Sequence, residues 1–336
     1  MKDAVQDKLA GIARVLSFPK GARLVRQGEA SRGAFVMRRG AAEARVALPG
    51  GGTLSVAQFG AGDMFGEMAL IERGVCSASV LARDAVEAWF IERDDFRAMV
   101  ASREPAALEV QRAITQVLAG KLRVLNEKVR SHPAAEDRPA VPSRSEVVFS
   151  KPGFDWRAFL PILPFFEGFD AYETDELVGR ARAVELPRGA SLFEPGQPAD
   201  ACYIVVRGAL ELVSRQGRLE RRVAVAGPGE LVGYLAVLEG HAHAAAARVR
   251  ESACLLELPA RDFMEIYNGG SGTSVSLQHA VHKSLLRALT RTNTQLTRLI
   301  SHAHLTAGKD AARDAADLER ALHGQIVQAG NSGTEP

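Results

Sequence analysis

The chain has 336 residues, enough for two ordinary domains, and its 46% hydrophobic and 24% charged residues are typical of globular proteins. The 42 basic and 40 acidic residues nearly cancel, so the overall charge gives no reason to expect binding to nucleic acid or to an anionic membrane. The three scattered cysteines exclude zinc-type spacing and a disulfide framework, and the sequence has neither a signal-like amino terminus nor a long apolar segment, so we expect a cytoplasmic protein without a metal site.

Short segments of alternating apolar and polar residues, separated by glycine, come first in the chain. They predict strands over residues 23–26, 34–38, 43–48, 53–59, 77–81 and 87–91. Turns at such close spacing are typical of a small antiparallel barrel or jelly roll. The period then becomes helical, with apolar residues at Ile114, Leu118, Leu122, Leu125 and Val129. Residues 1–130 are therefore predicted to form one domain with a trailing helix.

The middle of the chain is rich in proline and charge and poor in large apolar residues. This composition predicts a linker over residues 131–150, and its clearest signal is the stretch SHPAAEDRPAVPSRSE at 131–146. A second domain is predicted over residues 151–305. Residues 306–336 are expected to hold an alanine-rich helix at 308–327 and a disordered tail.

The two predicted domains resemble each other in sequence. Residues 18–43 align without a gap with residues 186–211, and nine of those 26 positions are identical, where about two are expected by chance. After a one-residue gap the match resumes between residues 59–71 and 226–238. Such self-similarity predicts the same fold twice in tandem.

The helix that trails the second copy has a stripe of positions four or three residues apart, all but one of them apolar. They are Val281, Leu285, Leu289, Leu296, Leu299 and Ala303, with Thr292 as the polar interruption. This is coiled-coil spacing, and it has two interpretations. The stripe either packs on its own domain or forms the interface of a homodimer. Its length of about six turns favours a homodimer through residues 281–303.

One segment carries a specific motif. The stretch FGEMALIERGVCSASV at 65–80 resembles the phosphate-binding cassette of the cyclic nucleotide-binding domain family, which includes catabolite activator proteins and protein kinase A regulatory subunits. The resemblance implies an α+β, mainly β fold of two tandem double-stranded β-helix (jelly-roll) barrels, each followed by a long α-helix. It also implies that a glutamate accepts the ribose hydroxyl and that an arginine nine or ten positions later pairs with the cyclic phosphate.

The first copy keeps part of that cassette. Phe65, Gly66 and Glu67 match, but Cys76 stands where the arginine belongs, and Arg73 offers a substitute guanidinium. Glu67 also has a second interpretation, as a capping or hydrogen-bonding carboxylate at the start of a short helix. The candidate ligand residues of this copy are Phe65, Gly66, Glu67, Met68, Ala69, Arg73, Cys76, Ser77 and Ser79.

The second copy departs further from the family pattern. Gly233 is kept, but Tyr234 replaces the glutamate and His243 replaces the arginine. A histidine supplies one hydrogen-bond donor, or a positive charge near neutral pH. The candidate ligand residues of this copy are Gly233, Tyr234, Leu235, Ala236, His243 and Ala244.

The trailing helices offer a further comparison. In transcriptional activators of the family, polar side chains on the long helix contact the purine, and Asn126, Thr292 and Asn293 stand at comparable places. The alternative is that these residues face water. Roughly thirty residues follow His304, and their acidic side chains offset the basic ones, so DNA binding through a helix-turn-helix is not expected.

These features predict a regulatory protein and not an enzyme, since kinase, Walker and nucleophile-elbow motifs are absent from the sequence. The resemblance implies cAMP or cGMP as the ligand, bound in at least the first copy, with no separate cofactor. The trailing helices would then relay binding to an unidentified protein partner. The rival interpretation is an interaction or scaffold module whose pockets have lost their ligand.

Overall fold

The structure is a computed structural model that describes residues 11–47, 53–131, 138–139, 149–216 and 219–306. These residues cluster into two compact units. Unit 1 is drawn from Met1–Leu125 and Asn293–Pro336, and unit 2 from Asn126–Thr292. Most of the predicted linker, the predicted helix at 308–327 and the predicted disordered tail lie outside the described residues.

The described part of unit 1 has eight strands in two antiparallel sheets. They are β1 (Arg14–Phe18), β2 (Arg23–Val25), β3 (Gly33–Arg39), β4 (Ala42–Ala47), β5 (Thr53–Phe59), β6 (Met64–Phe65), β7 (Ser79–Ala82) and β8 (Val86–Glu92). One sheet has the order β1-β8-β3-β6 and the other β2-β7-β4-β5. The predicted jelly-roll fold is confirmed as two facing sheets, although the described strands do not close into one continuous hydrogen-bonded barrel.

Phenylalanine rings fill the space between these sheets. Phe35 stacks on Phe65 with ring centroids 5.0 Å apart and contacts Phe90 at 4.8 Å. Phe59, from the other sheet, contacts Phe65 at 4.7 Å. Each ring removes a large apolar surface from water and contributes about 1.5–3 kcal/mol, so this cluster holds the two sheets together and fixes the position of β6.

Two short helices and most of a long one accompany these sheets: α1 (Met68–Ile71), α2 (Arg93–Ala101) and α3 (Pro105–Ser131). Glu92 caps α2, because its carboxylate accepts hydrogen bonds from the backbone N–H groups of Asp94 and Asp95 at 2.7 and 3.0 Å. The predicted stripe from Ile114 to Val129 lies on α3, and each of its residues is at most 2% exposed. This burial confirms the trailing helix of the first copy.

Unit 2 repeats the jelly roll with longer strands. They are β9 (Arg138–Pro139), β10 (Arg182–Leu186), β11 (Ser191–Phe193), β12 (Ala201–Gln216), β13 (Leu219–Ala226), β14 (Leu231–Val232) and β15 (Ala246–Pro259). The order is β10-β15-β12-β13-β9, with β11 paired to β15 and β14 to β12. β9 comes from the predicted linker: Pro139 pairs with Leu219, and Arg138 with Glu220. The linker therefore contributes one short strand to this sheet.

The helices of unit 2 precede and follow the sheet. A 3-10 helix (Arg157–Ile162) leads to α4 (Ala171–Gly179), then come α5 (Tyr234–Glu239), α6 (Ala260–Asn268) and α7 (Gly272–Thr306), whose last residues belong to unit 1. A capping box starts α4, because the carboxylates of Asp170 and Glu173 each accept a hydrogen bond from the other residue's backbone N–H. None of the helices in the described ranges is long and apolar enough to cross a membrane.

Two glycines show that the repeat extends to the backbone. Gly40 and Gly208 have φ of +82° and +86°. A Cβ atom would lie 2.2 Å from the carbonyl oxygen of Ala85 at the first position, and 2.4 Å from that of Ser252 at the second. Both the left-handed conformation and the close approach therefore require glycine, which explains why the sequence keeps it in both copies.

The apolar stripe predicted as a dimer seam lies on α7. Val281 and Leu285 are fully buried within the single chain, Leu289 is 8% exposed and Leu296 is fully buried. Leu299 is half-buried, and the side chain of Ala303 lies outside the described part of the structure. Four apolar residues of the stripe are thus covered without a second copy, so their spacing no longer argues for a homodimer. The homodimer through residues 281–303 stays a prediction.

Candidate functional site

The two cassettes, residues 65–80 in unit 1 and 232–244 in unit 2, share one backbone frame. The N–H of Gly28 donates to the carbonyl of Cys76 at 2.9 Å, and the N–H of Gly196 donates to the carbonyl of His243 at 2.8 Å. These matched hydrogen bonds place Cys76 and His243 at equivalent positions of the two copies. The alignment of the two copies in sequence makes the same assignment, so the side chains there can be compared directly.

The backbone turns sharply where the unit 1 cassette begins. Gly66 has φ of +75°, and a Cβ atom there would lie 2.9 Å from the carbonyl oxygen of Gly33. Phe65, just before it, is held in the aromatic cluster, and α1 starts two residues later. Glu67 stands at the N-cap position of α1 but makes no capping hydrogen bond there, so of the predicted capping and hydrogen-bonding roles the structure shows the second. Its carboxylate has another partner.

That partner is Lys121 on α3. The ammonium Nζ of Lys121 donates to Oε1 of Glu67 at 2.5 Å, and the two side chains are 5% and 4% exposed. Burying either charge alone would be strongly unfavourable, and the opposite charge of the partner offsets that cost. Lys121 was not among the predicted site residues. Its signal in the sequence is its spacing, since Leu118 and Leu125 of the buried stripe lie three and four residues away on the same face of the helix.

The other predicted residues of this cassette divide into two groups. Ala69 is buried and Cys76 is half-buried, and Ser79 accepts a hydrogen bond from the backbone N–H of Gln27 at 3.0 Å. Met68, Arg73 and Ser77 are exposed. No guanidinium therefore stands at the position where the family pattern places one, and the cation buried at this cassette in the described structure is the ammonium of Lys121.

The unit 2 cassette is built differently at its first side chain. Gly233 keeps its left-handed turn, with φ of +80°, but Tyr234 at the glutamate position is buried, and Leu235 and Ala236 are half-buried. Burial, and secondarily the charge of Glu230, raises the pKa of the Tyr234 hydroxyl. That hydroxyl has no hydrogen-bond partner among the described residues. A neutral phenol thus replaces the carboxylate.

The second departure of this cassette from the family pattern is the ring of His243 at the arginine position. The imidazole stacks on Phe193 with ring centroids 3.7 Å apart and planes 6° from parallel, and the residue is 6% exposed, whereas Ala244 is exposed. Burial lowers the pKa of His243, an effect that the charge of Asp200 partly opposes. The ring is therefore neutral at pH 7, so this cassette lacks both the carboxylate and the cation of the family pattern.

The stability of unit 2 is expected to fall as the pH drops below about 6.5, the usual pKa of histidine. Below that pH the unfolded chain binds a proton at His243 that the folded unit does not bind until its lower pKa is reached, so protons favour unfolding. A His243→Phe variant keeps an aromatic ring on Phe193 and should lose less stability between pH 7 and pH 5 than the wild type. Urea unfolding followed by Trp156 fluorescence in a Trp89→Phe background measures the difference.

The control for this experiment is the same pair of proteins at pH 8, where His243 is neutral in both the folded and the unfolded unit 2. At and above this pH the free energies of unfolding of the wild type and of His243→Phe should differ by an amount that does not change with pH. Equal pH dependence in the wild type and in His243→Phe would contradict the assignment of a buried neutral imidazole.

Two of the three polar residues predicted to contact a purine are paired with each other. The hydroxyl of Thr292 donates to Oδ1 of Asn126 at 3.2 Å, and both residues belong to unit 2. Asn293 is half-buried. Thr292 is 5% exposed, so the alternative that it faces water is wrong for this residue. Contact of these side chains with a purine stays a prediction.

Comparison with known protein families finds one family model that matches the chain at two places. The family model described as "Cyclic nucleotide-binding domain" matches residues 15–103 and 183–269, one segment in each unit. Glutaminase 1 of Bradyrhizobium diazoefficiens is 34% identical over 122 residues, or 36% of this chain and 19% of that protein. The cyclic AMP receptor protein of Thermus thermophilus is 31% identical over 104 residues, or 31% of this chain and 48% of that protein.

Solved structures give a looser likeness. The regulatory domain of Toxoplasma gondii PKA with cAMP is 18% identical, with a TM-score of 0.33, over 87% of this chain and 90% of that one. The chain spans about half or less of the length of the two curated relatives named above. The two family matches together cover more than half of this chain, and their starting residues have the same offset as the internal repeat.

Proposed function

This chain belongs to the cyclic nucleotide-binding domain family, and on that premise we propose that it is a cytoplasmic regulatory protein that senses a cyclic nucleotide through unit 1. In this proposal Glu67 accepts the ribose hydroxyl of cAMP or cGMP, and α3 relays binding to a protein partner. The chain itself acts as a regulator and not as an enzyme. Unit 2 serves as a structural copy without a ligand.

The observation that carries this proposal is the buried carboxylate of Glu67 at the start of α1. An anionic acceptor inside a protein binds hydroxyl and ammonium donors strongly, because little water competes for it. Unit 2 has the phenol of Tyr234 at that position, and its imidazole at His243 is stacked on Phe193. The difference supports assigning the ligand to unit 1.

The relay is supported by the position of Lys121 in the middle of α3. A ligand that engages Glu67 displaces the ammonium of Lys121 or shares the carboxylate with it, and in either case it alters the contact between α3 and the cassette. Such a ligand shifts the packing of α3 only by its different affinity for the two arrangements. Since Val281, Leu285 and Leu289 are already buried within one chain, the proposed switch does not depend on a homodimer.

Matched arginine substitutions in the two copies test this assignment. Cys76→Arg should tighten cAMP binding at least about tenfold, because a guanidinium makes charge-assisted hydrogen bonds to the phosphate. His243→Arg, at the equivalent position of unit 2, should leave the affinity unchanged. Isothermal titration calorimetry with cAMP and cGMP measures both affinities, and circular dichroism confirms that the variants are folded.

The proposal is overturned if neither the wild type nor Cys76→Arg binds either nucleotide at millimolar ligand. That result would favour the scaffold interpretation, which the satisfied Glu67–Lys121 pair also permits. Tighter binding by His243→Arg alone would instead move the ligand to unit 2.

A further inference from the structure

The ion pair between Glu67 and Lys121 occupies the carboxylate that the proposed ligand needs. Both side chains are almost completely buried, and their charged atoms are 2.5 Å apart. A ribose hydroxyl that approaches Glu67 must therefore displace the ammonium or share the carboxylate with it. The inference drawn from this contact rests on the proposed function, because it concerns the ligand of unit 1.

Displacing the ammonium has very different consequences for charged and uncharged ligands. An uncharged nucleoside that displaces the ammonium from Glu67 offers it no other anion, which is unfavourable for a buried cation. A nucleotide brings its own anion, which takes over as the partner of Lys121. The contact therefore favours an anionic ligand over an uncharged one of the same shape.

We infer that Lys121 is the phosphate-binding residue of unit 1 and that it supplies, from α3, the cation that Cys76 does not supply within the cassette. The ammonium of Lys121 then lies between two negative groups, Glu67 and the phosphate, and it attracts both. An ammonium has three donors, and one of them meets Glu67 in the structure. The remaining donors are available for phosphate oxygens.

The chemistry of the ligand brings the two groups together. In a 3′,5′-cyclic nucleotide the 2′-hydroxyl and the 3′-oxygen of the phosphate are on adjacent carbons of one sugar. A cation within hydrogen-bond distance of the carboxylate that accepts the 2′-hydroxyl therefore lies close to the phosphate as well. The ammonium then only has to rotate between neighbouring acceptors.

This assignment makes a residue of the long helix part of the binding site. Arginine in the family pattern comes from the cassette itself, whereas Lys121 comes from α3, between Leu118 and Leu125 of its buried stripe. The phosphate then holds α3 directly, and the loss of the ligand leaves Lys121 with Glu67 alone. Phosphate recognition and the relay would thus depend on one side chain.

The affinity ratio between cAMP and adenosine tests the inference. Calorimetry of the wild-type chain should show cAMP binding at least about tenfold tighter than adenosine. In Lys121→Met the cAMP affinity should fall by about tenfold to a hundredfold and the ratio should approach one. Cys76→Arg in the Lys121→Met background should restore the preference for cAMP. Arg123→Met, which removes a cation from the exposed face of α3, is the matched control and should leave the ratio unchanged.

Lys121→Met leaves Glu67 buried and unpaired, so a second variant guards against a folding defect. Glu67→Gln combined with Lys121→Met has no buried charge, and it should bind cAMP no better than adenosine. An unchanged ratio in a folded Lys121 variant overturns the inference. Tighter cAMP binding by Lys121→Met also overturns it and makes Lys121 a competitor of the ligand. A wild-type chain and a Cys76→Arg variant that bind no nucleotide at all would overturn the proposed function instead.

Discussion

Glu67→Ala is expected to lower the free energy of unfolding of unit 1 by about 3–5 kcal/mol, because it leaves the ammonium of Lys121 buried without a counter-charge. The side chain of Lys121 is 5% exposed, so water cannot replace the lost carboxylate without opening the packing of α3. Trp89 lies in β8 of unit 1 and reports on this unit alone in a Trp156→Phe background. Urea unfolding followed by its fluorescence measures the loss.

The charge-balanced double variant is the control for that result. Glu67→Gln with Lys121→Met removes both charges together and should cost much less than Glu67→Ala, because replacing a whole buried ion pair with uncharged groups is often nearly neutral. If Glu67→Ala and the double variant destabilise unit 1 equally, the loss is one of packing, and the ion pair does not hold α3 to the cassette.

Leu285→Glu is expected to destabilise unit 2 by about 4 kcal/mol or more, because the substitution removes packing and also places a carboxylate among apolar neighbours. The side chain of Leu285 is fully buried in the single chain. Trp156 fluorescence in a Trp89→Phe background follows the unfolding of unit 2. Thr290→Glu adds the same charge to an exposed position of α7 and should have little effect.

This experiment also decides between the two interpretations of the α7 stripe. If Leu285→Glu leaves unit 2 as stable as the wild type and only converts a dimer to a monomer in light scattering, the stripe is a seam between chains. The burial of Leu285 within one chain predicts the opposite outcome, a loss of stability without any requirement for a second copy.

Much of the fold could be predicted because glycines at turns and the spacing of apolar residues are visible in short stretches of sequence. The repeated glycines, such as Gly40 and Gly208, mark turns that only this residue tolerates, and the same glycines align the two copies in sequence. The buried stripe of α3 follows from helical spacing. The two-residue strand β6 does not, because two residues show no alternation.

The function of the α7 stripe could not be decided from its spacing. Coiled-coil spacing records that one face of a helix is apolar, but it does not record which surface covers that face. Val281, Leu285 and Leu289 satisfy the pattern and are buried within the chain itself. A stripe of about six turns is long for one small domain, but α7 is divided between two units, and neither has to cover the whole stripe.

The site was predicted in part for a similar reason. Phe65, Gly66 and Glu67 are contiguous in sequence, so a motif comparison finds them. Lys121 lies 54 residues from Glu67 and meets it only after the chain has folded. Likewise, the histidine at position 243 suggested a positive charge, but stacking on Phe193 and burial make the ring neutral, which depends on its surroundings.

We propose that the ligand lies in unit 1, against Glu67 and Lys121, and that unit 2 binds no ligand. Hydrogen exchange measured by mass spectrometry on the full chain, with and without saturating cAMP, tests this claim most directly. We expect slower exchange in residues 64–79 and in the part of α3 around Lys121, with no change in residues 231–244. Protection of residues 231–244 without protection of residues 64–79, or no change in either cassette, would contradict it.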